Sequence, residues 1–211
     1  MLSASVEDYT KAIYALEERH GVASTTALAE RLGVSAPAVS AMVKKLAALG
    51  YVSHVRYRGV RLTDEGRRVA LEVLRHHRLL ETYLVEELGV PWDRVHAEAE
   101  VLEHVLSEGL EERIAAKLGE PTHDPHGDPI PAADGTVVEP TTVALTALAP
   151  GDRGRFVRVS DSDPAVLREL AELGIRPGDE LEVVPGGIRT GSATLGLRPA
   201  LARAMRVEIG P

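Results

Sequence analysis

The sequence predicts a mainly α-helical chain with added β-structure: an N-terminal winged helix–turn–helix, a central helical domain and a C-terminal SH3-like β-barrel. Three observations predict it. Apolar residues recur at helical spacing through most of the chain up to Gly119. The stretch GEPTHDPHGDPIPAADGTVVEPTT, residues 119–142, is then too rich in Pro, Gly and Asp for a helix and reads as an ordered loop leading into a linker. Beyond about residue 145 the pattern changes to short β-type runs separated by glycine turns. The 211 residues are enough for one to three domains with proper cores. The expected boundaries are 1–66, 67–140 and 141–211.

Taken in order, residues 6–19 form a helix with Tyr9, Ile13 and Leu16 on one side. STTALAERLGV is a short helix opened by a Ser/Thr cap and closed at Gly33. SAPAVSAMVKKLAALG is a third, with Ser35 as cap, Pro37 in the first turn and Gly50 as stop; Val39, Met42, Val43 and Leu46 make its apolar side. YVSHVRYRGVRLT alternates as two strands around Arg58-Gly59. A long helix capped by Thr63 follows, and PWDRVHAEAEVLEHVLSEGLEERIAAKLG continues as a further helical stretch. In the last segment GRFVRVS, DELEVV, SATLGLR and RVEIG read as strands, interrupted by the helix PAVLRELAEL. There is no internal repeat.

Composition excludes several classes. Cysteine is absent, which removes disulfides, thiolate zinc sites and thiol chemistry. No apolar run is long enough to span a membrane. The opening MLSASVEDYTKAIY has no basic segment followed by an apolar one, so a cytoplasmic protein with no membrane partner is expected. The net charge of −8 is unevenly spread. Residues 1–66 carry 8 Lys and Arg against 7 Asp and Glu, residues 67–140 carry 7 against 16, and residues 141–211 carry 9 against 9. Residues 35–61 hold Lys44, Lys45, Arg56, Arg58 and Arg61 and no acid. A basic surface suited to phosphate therefore adjoins an acidic segment suited to cations.

Two short helices joined at Gly33-Val34 and followed by a basic hairpin describe a DNA-binding module whose second helix enters the major groove. Ser35, Ala36, Pro37, Ser40 and Ala41 would face DNA there. Small residues permit close approach and offer few base-edge hydrogen bonds. Lys44, Arg56 and Arg58 would hold phosphates. The rival account is a dimerisation module with solvated lysines and arginines; the acid-free run in an acidic chain favours DNA.

In VHAEAEVLEHVLSEG, residues 95–109, a helix would place His96, Glu100, Glu103 and His104 in one stripe about 100° wide. Val95, Ala99, Leu102 and Leu106 would form the apolar stripe beside it. Glu100, Glu103 and His104, at i, i+3 and i+4, could grip one ion. His77 and Glu81 lie a turn apart on the preceding helix, and Asp8 lies on the first. Salt bridging explains any one of these residues; the set together would cost several kcal/mol beside a core without a cation.

The motifs EDYTKAIYALEE, LGVSAPAVSAMVKKLAALGYV, YRGVRLTDEGRRVA, RHHRLLETYL and VHAEAEVLEHVLS resemble those of the diphtheria toxin repressor family of metal-dependent bacterial regulators, within it the manganese transport regulator branch. PHGDPIP and the terminal FeoA-like domain match the longer, three-domain members. The resemblance covers nearly the whole chain. It implies a primary metal site on Asp8, His77, Glu100, Glu103 and His104. It implies a secondary site on Glu81, Asp124, His126 and Asp161, with Asp163 as a weaker choice and His96 as an additional ligand. The iron-sensing branch has methionine at Asp8 and cysteine at Glu100, and some relatives have cysteine at Asp124. These carboxylates are harder donors and suit Mn²⁺, although Fe²⁺, Co²⁺, Cd²⁺ or Zn²⁺ could substitute. Some two-domain manganese sensors carry a glutamate at Lys11 and bind a close ion pair; a charged lysine cannot ligate, which argues against such a pair. The implied function is a homodimeric, Mn²⁺-dependent repressor of manganese uptake genes on inverted-repeat operators. The alternatives are an Fe²⁺-dependent repressor of the same family and a winged-helix regulator sensing an organic ligand, although no small organic ligand is expected. An enzyme is not expected: a metallohydrolase would need an open site with a positioned base, and no HExxH occurs.

Overall fold

The computed structural model describes residues 2–55, 57–191 and 193–209. It divides into two compact units. The first comprises residues 1–76 with 103–106 and 131–136; the second comprises 77–102, 107–130 and 137–211. No helix among the described residues is long and apolar enough to cross a membrane.

The first unit opens with α1 (Ala4–His20), α2 (Thr25–Leu32) and α3 (Ala36–Ala48). Tyr9, Ile13 and Leu16 are buried, as their spacing predicts. The Ser24 hydroxyl accepts the Ala27 N–H and starts α2, and Gly33 at φ 65° ends it. Ser35 caps α3 by accepting from Ala38, Pro37 sits in its first turn, and Val39, Val43 and Leu46 are buried. The opposite face of α3, with Ser35, Ala36, Pro37, Ser40, Ala41 and Lys44, is exposed.

Strands β1 (Val52–Val55) and β2 (Gly59–Leu62) pair antiparallel with Val52 opposite Leu62. The turn is not centred on Arg58-Gly59 as the alternation suggested. Val55 pairs with Gly59, so Gly59 belongs to the ladder, and Tyr57 at φ 61° and Arg58 precede it in the turn. Gly59 is needed inside the ladder for another reason. It lies where Ala23 bridges Val60, the two exchanging hydrogen bonds of 3.0 and 2.9 Å. A Cβ at Gly59 would stand 2.0 Å from the Ala23 carbonyl oxygen. The hairpin is thus fixed to the link between α1 and α2. Thr63 caps α4 (Asp64–Glu86) by accepting from Gly66 at 3.1 Å. This helix contributes residues to both units.

The helical stretch expected across residues 91–119 is present as two helices. α5 covers only Val95–Leu102, residues 103–105 form a turn, and α6 starts at Glu108 and runs to Lys117. Ser107 adopts the extended conformation of a helix cap, and the Glu103 carbonyl lies 3.3 Å from His76 Nδ1 instead of serving a following helical turn. Val95 and Ala99 are buried as predicted, but Leu102 is exposed.

In the second unit a six-stranded antiparallel sheet has the order β3-β8-β4-β5-β6-β7. Its strands are β3 (Val143–Ala144), β4 (Arg153–Val159), β5 (Glu180–Val184), β6 (Gly187–Thr190), β7 (Ala193–Gly196) and β8 (Met205–Glu208). Helices α7 (Pro164–Glu172) and α8 (Pro199–Ala204) complete this SH3-like domain. β3, β6 and α8 escaped the sequence reading because they are short. Phe156, Leu170, Ile175, Ile188, Leu201 and Met205 form its core, and Trp92 belongs to the same cluster.

Gly59→Ala is expected to lower stability by about 2–4 kcal/mol, because the added methyl displaces backbone rather than a side chain. Thermal unfolding of the variant beside the wild type measures this; an unchanged melting temperature would show that the hairpin can move away from Ala23.

Candidate metal centre

Among the described residues, four groups of acids and histidines present ligand atoms that all lie within 4.8 Å of one another: Asp8, Glu103 and His104; His77, His96 and Glu100; Glu81, His96 and Asp161; and Glu81, Asp124 and His126. A cation bonded at about 2.0–2.6 Å to each ligand joins donors up to about 5 Å apart, so each donor set fits one hard divalent ion. The donors are carboxylate oxygens and imidazole nitrogens, with no sulfur among them.

The first group lies in the first unit. Asp8 comes from the second turn of α1, and Glu103 and His104 from the turn after α5. His104 Nε2 is 2.9 Å from Asp8 Oδ1, and its Nδ1 is 2.6 Å from Glu7 Oε2. The Glu103 side chain is fully buried, and Lys11 donates to it at 2.6 Å. An ion here would share Glu103 with the Lys11 ammonium, which already offsets one carboxylate. Neither Glu7 nor the Lys11 ion pair was legible beforehand; nothing in an amphipathic helix tells which solvent-side acid will meet a segment 97 residues away.

The other three groups lie in the second unit and share members. His77 and Glu81, one turn apart on α4, are 3.0 Å apart through Nε2 and Oε1. His96 Nδ1 lies 3.0 Å from that same His77 nitrogen and 3.2 Å from that same Glu81 oxygen. Three ligand atoms thus form a near-equilateral triangle. His96 Nδ1 is also 3.3 Å from Asp161 Oδ2, and its Nε2 is 3.6 Å from Glu100 Oε1. His96, expected only as an additional ligand, stands in two of the groups.

Asp124 and His126 come from the loop before the sheet. Asp124 Oδ1 accepts from the backbone N–H groups of His126 and Asp128 at 2.8 and 2.9 Å, which curls the loop inward. Gly127 at φ 86° permits the tight turn. Arg78 lies 3.7 Å from Asp124 and donates to the Pro129 carbonyl. His126 Nδ1 is 3.6 Å from Glu81 Oε2.

One expectation is corrected. Glu100, Glu103 and His104 do not lie on one continuous helix, because α5 stops at Leu102; Glu100 groups with His77 and His96, whereas Glu103 and His104 group with Asp8. Asp163 is in none of the groups. Its carboxylate accepts from Ala165 at 2.9 Å and caps α7, a use that competes with ligation. Of the expected DNA contacts, Ser35, Ala36, Pro37, Ser40, Ala41, Lys44 and Arg58 are exposed, and Arg56 lies outside the described residues.

The electrostatics favour a cation. Burial alone would raise Glu81, but hydrogen bonds from His126, His77 and His96 outweigh it and hold its carboxyl well below the usual range. Burial, with repulsion from Asp128 and Glu81, pushes Asp124 well above its usual value. Burial would lower His126, yet the hydrogen bond and charge of Glu81, with Asp124 nearby, raise it to about 9. A group whose value rises on folding from 6.5 to about 9 stabilises the fold fully below 6.5 and ceases to as pH climbs through 9. Asp124 acts in the same direction, ionising against its neighbours as pH increases.

Three family descriptions match the chain: "Iron dependent repressor, N-terminal DNA binding domain" over residues 1–60, "Iron dependent repressor, metal binding and dimerisation domain" over 63–132, and "FeoA domain" over 143–209. The iron-dependent repressor IdeR of Mycobacterium tuberculosis is 34% identical over 97% of this chain and 96% of its own. The diphtheria toxin repressor of Corynebacterium diphtheriae is 32% identical with the same coverage. A solved manganese-dependent transcriptional repressor in complex with manganese superposes with a TM-score of 0.86 at 46% identity, over 97% of this chain and 99% of that one.

With metal removed by chelator, the melting temperature is expected to fall as pH rises from 6.5 to about 9. Apparent metal affinity at Glu81–Asp124–His126 should rise about tenfold per pH unit in that window, because the ion displaces the His126 proton. Circular dichroism melts and competitive metal titrations at several pH values measure both; pH-independent melting would mean that the His126 charge adds nothing to the fold.

Proposed function

Because the chain belongs to the diphtheria toxin repressor family of metal-dependent transcriptional repressors, which are DNA-binding proteins and not enzymes, we propose that Mn²⁺ is its activating ion and that it represses manganese uptake genes as a homodimer on inverted-repeat operators. The ligands are Asp8, Glu103 and His104 in the first unit, and His77, Glu100, Glu81, Asp124, His126, Asp161 and His96 in the second. A repressor acting on chromosomal DNA works in the cytoplasm.

The observation that carries this reading is the Asp8–Glu103–His104 group. Asp8 lies within the DNA-binding match and the other two within the metal-binding and dimerisation match. A bound divalent cation supplies two positive charges between carboxylates that otherwise repel. Asp8 then holds α1 to the turn after α5, which narrows the positions open to α3. Such a change raises DNA affinity only by as much as the ion favours the competent arrangement, and operator DNA tightens the ion by the same factor. Ser35, Ala36, Pro37, Ser40 and Ala41 on the exposed face of α3 supply close approach to base edges, while Lys44, Arg58 and Arg56 supply charge for phosphates. The exposed apolar residues Val101, Leu102, Val105 and Leu110 support burial against a second copy.

Carboxylate and imidazole donors without sulfur support manganese. Fe²⁺ is the second reading, favoured by the iron dependence in the names of the curated relatives. Mobility shifts on a manganese-uptake promoter with Mn²⁺, with anaerobic Fe²⁺ and with chelator separate them. The wild type is expected to retard DNA with Mn²⁺ and not with chelator, and Asp8→Ala should keep its fold yet lose the metal dependence. Full Mn²⁺ dependence in Asp8→Ala would remove that residue from the switch. Lys44→Ala should weaken binding to all sequences alike and reduce the salt slope by about one, as loss of one phosphate contact requires. A sequence-selective loss would instead place Lys44 on a base edge.

A further inference from the structure

Trp92 is the only tryptophan in the chain. It lies just before α5, yet its side chain is buried in the core of the SH3-like domain, with 4% of the residue exposed. The indole N–H donates to the Leu167 carbonyl of α7 at 3.0 Å. The Trp92 carbonyl accepts from His126 Nε2 at 2.9 Å. A carbonyl can only accept, so Nε2 carries the proton and Nδ1 is the nitrogen turned toward Glu81. The two rings stack, centroids 5.8 Å apart with planes at 14°. The same loop is joined to β4: the His126 carbonyl accepts from Val159 at 2.9 Å, and a Cβ at Gly127 would stand 1.9 Å from the Val157 carbonyl oxygen. One residue of the Glu81–Asp124–His126 group is thus continuous with β4 through its backbone and with α7 through Trp92.

We propose that Trp92 is a positioning residue that couples metal occupancy at Glu81–Asp124–His126 to the packing of α7 and β4 in the C-terminal domain. This rests on the metal-sensor reading above. The group that accepts a hydrogen bond from the second nitrogen of a metal-binding imidazole fixes the tautomer and orientation of the ring. Here the acceptor is the backbone of a residue whose side chain is locked into the domain core. A cation held at Nδ1 would take the place of the proton facing Glu81 and fix the ring while Nε2 keeps its bond to the Trp92 carbonyl, and an ordered Trp92 in turn holds His126 ready for metal; linkage makes the two effects equal. A tryptophan that merely fills the core would change stability when altered and leave metal affinity alone.

The full chain, carrying Asp8→Ala and His96→Ala to remove the contributions of the other three groups, is titrated with Zn²⁺ and with Mn²⁺ while tryptophan emission is followed. The proposal expects a saturable change in emission with both ions, abolished by His126→Ala. Trp92→Phe keeps a ring in the core and removes the N–H; it should lower affinity at this group about tenfold, the lower end of what outer partners of metal ligands contribute. Circular dichroism verifies its fold, and isothermal titration measures its affinity. Hydrogen exchange should show α7 and β4 amides protected by metal in the Trp92-containing protein and less so in Trp92→Phe. Unchanged emission at saturation, a change that survives His126→Ala, or full affinity in Trp92→Phe would each overturn the coupling while leaving the metal reading intact. If titration finds no ion bound at this group at all, the metal reading of the group fails first and the coupling with it.

Discussion

Carboxylates held out of water beside imidazoles set the terms for this protein. Glu81 and Glu103 are each 1% exposed, and Asp124 is 8% exposed. An unpaired charge in such a place costs several kcal/mol, so each must be answered locally. Lys11 answers Glu103, His77, His96 and His126 answer Glu81, and Arg78 stands near Asp124. These partners offset part of that cost and leave several acids and histidines within reach of one another. A divalent cation satisfies the same electrostatic need more completely, which makes its binding a stability term as well as a signal.

The scaffold places these groups by ordinary means. Helix α4 sets His77 and Glu81 on the same face one turn apart. The loop carrying Asp124 and His126 has no regular structure and is held by its own Asx turn, by Gly127 against β4 and by His126 on Trp92. Irregular backbone is useful here: the turn through Gly127 brings the side chains of Asp124 and His126 to one point beside Glu81.

Metal preference is a matter of donor atoms more than overall similarity. The chain is 34% identical to an iron-dependent repressor and 46% identical to a manganese-dependent one, and both share nearly its full length. Such figures describe a common fold. The donors in the four groups are oxygen and nitrogen throughout. Oxygen-rich sets give less advantage to the later, softer metals, while raw affinity still follows the Irving–Williams order; the ion that acts is then decided jointly by ligands and availability.

Local features were legible in the sequence because local forces decide them. Ser24 and Ser35 cap helices through hydroxyls three residues from the N–H they bind, and Gly33 ends one because only glycine takes that backbone angle freely. Tyr9, Ile13 and Leu16 are buried because helical periodicity is a property of the chain itself. The same periodicity misled at residues 103–105, where the Glu103 carbonyl approaches His76 and Ser107 begins a new helix. The site divided likewise. Its residue types could be proposed, since acids and histidines recur at helical spacing beside apolar positions. Which of them meet could not, because Lys11 and Glu103 are 92 residues apart, and Trp92 and Leu167 are 75 apart. Periodicity acts over one or two turns; partners at such separations are chosen only when helices and loops pack, and that was decided by the tertiary structure.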